Sequence, residues 1–151
     1  MKNTENVSFG LRKIITEQFA VIESSYNEDN ENIELGTGLR FGFNLQNRFI
    51  TTILSINFSQ EKNPFLILEI GCFFEIIEED WDKMYNVETK EVSLSKELAR
   101  HLVVLTVGTI RGVLHAKTEN TPFNKFYLPT INVNNLVEKD ITIKTNKVNK
   151  E

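Results

Sequence analysis

The sequence has few cysteines and prolines, which stabilise small domains by means other than core packing. It also has no long apolar run, which a membrane-spanning helix requires. Its 151 residues include one cysteine, three prolines and one tryptophan. A single cysteine excludes an intrachain disulfide, which favours a reducing compartment such as the cytoplasm. No apolar run approaches the roughly 18 residues of a membrane-spanning helix, and no apolar signal segment opens the chain. We therefore expect a cytoplasmic, single-domain protein with its core at about residues 14–138.

The chain also has no excess of basic charge. It carries 17 Lys and Arg residues against 21 Asp and Glu residues, for a formal net charge of −4. A nucleic-acid backbone or an anionic membrane surface would find no basic field on such a protein. Composition therefore argues against nucleic acid and membranes as partners.

No arrangement of residues indicates a catalytic, metal or cofactor site. His101 and His115 are separated by about 21 Å if both lie on one helix, which is too far to share a metal ion. Cys72 lies on an apolar strand face, where a thiol behaves as a small hydrophobic side chain. The acidic runs at 28–34 and 75–82 lack the ligand spacing and turn glycine of a calcium loop. We expect no cofactor and no enzymatic activity.

Alternation of apolar and polar residues predicts four strands, within residues 14–26, 39–46, 49–58 and 65–77. Short connections between the last three indicate an antiparallel meander. The clearest apolar face belongs to the last strand and consists of Leu66, Leu68, Ile70, Cys72, Phe74 and Ile76.

After an acidic linker at 78–85, the apolar period changes to that of a helix. Leucines at helical spacing predict a helix over 93–117, with Ser93 as its N-cap and its apolar side on the sheet. An apolar segment at 122–133, punctuated by prolines, follows without a clear period. Residues 1–13 show no pattern and are predicted to be loose. The tail after Glu138 is predicted either to be loose or to contain a short strand at 140–144. The predicted fold class is α+β.

Aromatic residues are abundant for a domain without a catalytic pattern, since eleven are phenylalanines. Phe73 lies opposite Phe74, and Phe123, Phe126 and Tyr127 occur in the proline-punctuated segment. These side chains either complete the core under the helix and the second sheet face, or form an apolar groove that binds other chains.

The order of these patterns resembles the SecB family of export chaperones and its SecB-like relatives. In that family four antiparallel strands precede a long helix, and a proline-containing loop leads into a second helix. The resemblance covers about residues 15–137. The matching stretches are FLILEIGCFFEI at 65–76, Ala99-Arg100, Arg111-Gly112 and PTINVNNL at 129–136. The second helix is predicted to be short or irregular, and a Lys- and Asn-rich tail replaces the family's acidic one.

The resemblance implies that residues 27–38 form a crossover between the two outermost strands. It implies an ATP-independent holdase for unfolded or aggregation-prone polypeptides, in protein export or in the protection of an antitoxin. The implied client-binding groove consists of Leu35, Leu39, Phe41, Phe123, Phe126, Tyr127, Leu128 and Ile131.

Two further contacts follow from the resemblance. Glu69, with Glu75 further along the strand, would dock the motor SecA, unless these are ordinary solvated carboxylates. Gly108 and Gly112 would let a second copy of the long helix approach in a homodimer or homotetramer. The alternative is that the two glycines accommodate the chain's own sheet.

Two other functions stay open at this point. A carrier of small apolar ligands would use the interface between sheet and helix as its pocket. A non-catalytic interaction subunit would keep its aromatic surface buried in a larger complex. Suppression of client aggregation by the isolated protein distinguishes a holdase from both.

Overall fold

The structure is a computed structural model that describes residues 6–144, and its main feature is a four-stranded antiparallel sheet. The sheet has the order β1-β4-β3-β2. Its strands are β1 (Phe9–Val21), β2 (Glu34–Asn44), β3 (Phe49–Gln60) and β4 (Asn63–Ile76). The two outermost strands are therefore consecutive in the chain, and residues 22–33, which we call the crossover segment, join them. The predicted crossover between outer strands is confirmed.

Three helices and a second, smaller sheet complete the fold. The helices are α1 (Glu78–Met84), α2 (Lys96–Thr118) and α3 (Val133–Leu136). The small sheet has the order β5-β6-β7, with strands β5 (Tyr85–Asn86), β6 (Glu91–Leu94) and β7 (Ile141–Ile143). The predicted α+β class, with a four-stranded antiparallel sheet, one long helix and a short second helix, is confirmed.

The core lies between α2 and the central strands β3 and β4. Antiparallel pairing places Leu54 opposite Ile70 and Ile56 opposite Leu68, so that apolar side chains share one face of the sheet. The alternation in β4 exists because this face is covered by α2, whose buried residues include Leu102. Burying each such side chain contributes about 1.5–3 kcal/mol.

Thr52, the polar residue that interrupts the apolar face of β3, has a partner inside the core. Its hydroxyl bonds that of Thr106 on α2, which in turn donates to the carbonyl of Leu102 at 2.9 Å. Cys72 lies in the same interface, where burial raises the pKa of its thiol. The thiol therefore stays protonated at neutral pH, and the buried polar groups bond one another rather than water.

The long helix begins later than predicted, and Ser93 is not its N-cap. Ser93 belongs to β6, where it pairs with Thr142 of β7. The N-cap is Ser95, whose hydroxyl accepts a hydrogen bond from the Leu98 amide at 3.1 Å. A second cap comes from the distant C-terminal region, since the Asp140 carboxylate accepts from the Lys96 amide at 2.8 Å.

Two strands begin earlier than predicted. β1 runs from Phe9 to Val21 rather than within 14–26, because its first residues pair with the end of β4. The predicted looseness of 9–13 is therefore wrong. Of the two alternatives for the tail, the short strand at 140–144 is confirmed, because β7 spans Ile141–Ile143. The predictions for residues 1–5 and 145–151 lie outside the described residues. β2 includes Gly36 and Gly38, which the predicted crossover at 27–38 contains. A Cβ at Gly38 would lie 2.8 Å from the Ser55 hydroxyl of β3, so a larger residue there would require the Ser55 side chain to move.

The acidic linker at 78–85 contains α1, which sequence reasoning missed. The helix places three carboxylates in its first turn and buries Trp81 and Met84. Acidic side chains at a helix N-terminus interact favourably with the helix dipole. The Trp81 ring stacks on Tyr85, with 6.0 Å between centroids, and this contact joins α1 to β5.

We expect Asp140→Ala to lower the free energy of unfolding by about 0.5–2 kcal/mol, the usual loss for a helix cap. The reason is that the Lys96 amide loses its acceptor at the start of α2. Urea denaturation measures the change, with the exposed neighbouring variant Lys139→Ala as the control. Equal midpoints for both variants and the parent protein would contradict this role of Asp140.

Candidate binding surface

The first part of the candidate surface is a row of apolar side chains on the edge strand β2. Leu35, Leu39 and Phe41 lie on the sheet face that α2 covers, because their pairing partners on β3 lie on that face. α2 packs over β3 and β4, so the row on β2 is only half-buried. The row is packed against the core on one side and open to solvent on the other.

The second part is residues 126–137, which we call the strap. Arg111 of α2 donates from Nε to the carbonyl of Leu128 at 3.0 Å and from Nη2 to that of Pro129 at 2.8 Å. Arg100 donates from Nε to the carbonyl of Val137 at 2.8 Å. The strap is therefore fixed at both ends, and the residues between these anchors are half-buried or exposed.

Five aromatic rings from four segments of the chain meet at one end of α2. This aromatic cluster consists of Tyr26, Phe58, Phe65, Phe123 and Phe126. The ring of Tyr26 lies 4.8 Å from that of Phe65 and 5.3 Å from that of Phe123. Phe126 lies 5.1 Å from Phe65. The cluster joins the crossover segment, the main sheet and the start of the strap.

The predicted groove residues do not all lie on open surface. Phe123 is only 6% exposed and Leu128 is buried as well, so their assignment to an open groove is wrong. The cause is a 3₁₀ turn over Pro122–Lys125, capped by Thr121, which folds the Phe123 ring beneath Tyr26. Of the remaining six, Tyr127 is 59% exposed and the other five are half-buried. They are Leu35, Leu39, Phe41, Phe126 and Ile131.

Sequence reasoning missed the residues that fasten this surface. Arg100 and Arg111 belong to the two dipeptides that carry the family resemblance, but the sequence alone did not assign their guanidinium groups to the strap. Gln60, at the end of β3, is buried and bonds the crossover segment. Tyr26 lies between β1 and a polar run. An isolated aromatic residue at such a boundary is the signal that could have identified it.

The acidic residues assigned to a motor contact are paired within the chain. The Arg40 guanidinium lies 3.2 Å from a Glu69 oxygen. Arg12 donates to Glu75 at 2.8 Å, and Arg48 lies 3.7 Å from the same carboxylate. The hydrogen bond from Arg12 holds the pKa of Glu75 below its ordinary value. Both carboxylates lie on the sheet face opposite α2, where neighbouring arginines balance their charge.

The outer side of α2 leaves its glycines uncovered. A Cβ at Gly108 or Gly112 would meet nothing within 4 Å, so the two glycines do not accommodate the chain's own sheet. That alternative is wrong. Val104 is 51% exposed and Leu105 is also exposed on this helix.

A second exposed apolar row lies next to this helix on β1. Leu11, 44% exposed, and Ile14 lie on the side of the sheet that carries α2. At one end the Phe9 ring lies 5.4 Å from that of His101, and at the other the Lys117 ammonium lies 5.3 Å above the Phe19 ring. We call the surface between these contacts, formed by β1 and α2, the β1–α2 seam.

The described part of the chain offers no group of three or more His, Cys, Asp and Glu side chains that could hold a metal ion. None of the helices within residues 6–144 is long and apolar enough to cross a membrane.

No protein-family model and no curated protein sequence matches this chain. Among solved structures, the chain is similar to the Mycobacterium tuberculosis Rv1957 SecB-like chaperone in complex with a ChAD peptide from the Rv1956 HigA1 antitoxin. The TM-score is 0.47 and the sequence identity is 10%, over 82% of this chain and 91% of that chain.

We expect Phe123→Ala to lower the free energy of unfolding by about 3–5 kcal/mol, as for other buried phenylalanines. The ring contacts Tyr26, Phe65 and Phe126, and its removal leaves a cavity. Tyr127→Ala, the matched exposed variant, should change stability by less than ~0.5 kcal/mol. Chemical denaturation measures both changes. A small effect of Phe123→Ala would contradict the burial of Phe123 in the core and support its place in an open groove.

Proposed function

We propose that this protein is a holdase, a chaperone that binds unfolded or aggregation-prone polypeptides without ATP. The observation that carries the proposal is the half-buried apolar row on β2 together with the strap that two arginines hold in place. A domain that already has a complete core gains nothing in solubility from such a surface. A protein that binds other chains needs it.

The geometry of β2 suits an extended client. β2 is at the edge of the main sheet, so one side of its backbone has no partner strand in that sheet. An extended polypeptide can add to such an edge through main-chain hydrogen bonds and insert alternate side chains between apolar neighbours. Main-chain bonds do not depend on client sequence, which is what a holdase with many clients requires.

We propose protection of an aggregation-prone partner, such as an antitoxin, rather than delivery of clients to SecA. Glu69 and Glu75 are the residues assigned to SecA docking, and each is already paired with arginine. A basic docking partner would have to displace those arginines. The charge on this face therefore supports a role that depends on the client surface alone.

We further propose that two copies of the chain associate through the β1–α2 seam. The seam combines exposed apolar side chains on β1 and α2 with glycines that allow two helix backbones to approach closely. A two-fold arrangement would cover the same residues on both copies.

Truncation of the exposed Tyr127 and the half-buried Ile131 should weaken client binding without unfolding the protein. We expect Tyr127→Ala combined with Ile131→Ala to lose about 1–2 kcal/mol of client binding free energy for each side chain that acts as an anchor. Light scattering of an aggregating client, with and without the purified protein, measures the effect. Val87→Ala is the control, because Val87 is 75% exposed on the turn between β5 and β6. If the parent protein leaves aggregation unchanged, the holdase proposal is wrong.

Charge introduced into the β1–α2 seam should separate the copies. Gly108→Glu and Gly112→Glu together have room in the monomer, and replacing each helix glycine favours the helix by a few tenths of a kcal/mol, up to about 1 kcal/mol. Sedimentation velocity at tens of micromolar should show a dimer or tetramer for the parent protein and a monomer for this variant. Val87→Glu adds one negative charge outside the seam and should leave assembly intact. A monomeric parent protein would contradict the proposed association.

A further inference from the structure

The aromatic cluster contains one ring that differs from the others in origin. Phe58 and Phe65 belong to the main sheet, and Phe123 and Phe126 follow α2. Together these four phenylalanines form a socket. The ring that fills the socket is Tyr26, which reaches it from the crossover segment and lies within 6 Å of three of the four rings.

Tyr26 occupies the socket in the way that a residue of an extended peptide would. Its backbone is extended, with φ −110° and ψ 125°. The ammonium of Lys125 lies 5.4 Å from the centre of its ring. The socket therefore holds an aromatic side chain of an extended segment beside a lysine ammonium.

Few contacts hold the polar run of the crossover segment, residues 27–32, in this position. The ends of the segment are held by the Ile22 amide, which donates to the Phe65 carbonyl at 2.8 Å, and by Ile33, which packs against the core. Gln60, buried at the end of β3, accepts from the Asn27 amide at 2.8 Å and donates to the carbonyls of Asn27 and Asn30 at 3.0 and 2.9 Å. Residues 27–32 are all polar and contribute no apolar side chain to the core. Their hydrogen bonds to Asn27 and Asn30 side chains are local and exposed. Tyr26 and Gln60 therefore provide the main attachment of this polar run.

We propose that the crossover segment is a latch in which Tyr26 stands in for a client side chain. When the segment lifts, the socket becomes available to a client residue of the same chemistry, a Tyr or Phe in an extended segment. This inference rests on the proposed holdase role and adds to it a competition between the chain's own tyrosine and the client. The latch keeps an aromatic surface covered until a client replaces it.

The test uses a synthetic peptide of residues 22–33, IESSYNEDNENI, with blocked ends. Its partner peptide carries Ala in place of Tyr. Dissociation constants are measured by calorimetry for the full-length parent protein, Tyr26→Ala, Gln60→Met and the control Val87→Ala. Gln60→Met removes the three hydrogen bonds and leaves the tyrosine in place, so it reports on the latch even if Tyr26→Ala fails to fold.

The tyrosine peptide should bind Tyr26→Ala about tenfold more tightly than the parent protein, because apparent affinity scales with the fraction of open sockets. Gln60→Met should show a smaller gain in the same direction, and Val87→Ala none. The alanine peptide should bind none of the proteins more tightly than it binds the parent. Equal affinity of all four proteins for the tyrosine peptide, or equal binding of the two peptides, overturns the latch.

The aggregation assay on the same proteins separates this inference from the proposed function. Suppression of aggregation together with unchanged peptide affinities leaves the holdase role standing and overturns the latch. The expected peptide affinities without suppression of aggregation support the socket and its latch, and remove the holdase role.

Discussion

The pairing of β1 with β4 is the constraint from which the positions of the other elements follow. Phe9 pairs with Ile76 and Val21 with Leu66, so β1 lies along most of β4. β2 must then occupy the opposite edge, because β3 takes the other side of β4. The crossover segment has to span the width of the sheet, and this path places Tyr26 next to Phe65. The edge position of β2 and the position of Tyr26 in the aromatic cluster both follow from the pairing of β1 with β4.

The helix α2 covers only the central part of one sheet face. α2 covers β3 and β4 and leaves rows of partly covered apolar residues on β1 and on β2. Arg100 and Arg111, about three helical turns apart, hold the strap beside α2 by its carbonyl groups. The arginines therefore hold the strap by its backbone carbonyl groups. The apolar side chains between the two anchors do not have to be buried to keep the strap in place. The surface stays ordered while remaining partly uncovered.

The sequence predicted those elements in which one buried face gives the apolar residues a regular spacing. The alternation in β4 and the leucine spacing in α2 are local consequences of one covered face, and both elements were found. β5 and β6 could not be predicted, because strands of two to four residues carry no period. Ser93 and Ser95 are equally good caps by residue type, and only the pairing of Ser93 with Thr142 decides between them. The burial of Phe123 depends on Tyr26, a residue from the other half of the chain, so no local pattern could distinguish it from the exposed Tyr127.

The cap that Asp140 provides for α2 has a consequence for how the protein is made. The bond joins residues 44 positions apart, and the pairing of β1 with β4 is also distant in sequence. Contacts of this kind form late and slow folding, since a long loop must close before they can stabilise anything. Synthesis releases the N-terminus first, so β1 leaves the ribosome long before its partner strand exists. During translation the nascent chain therefore exposes an unpaired strand and several aromatic side chains, and it needs for itself the shielding that we propose it gives to others.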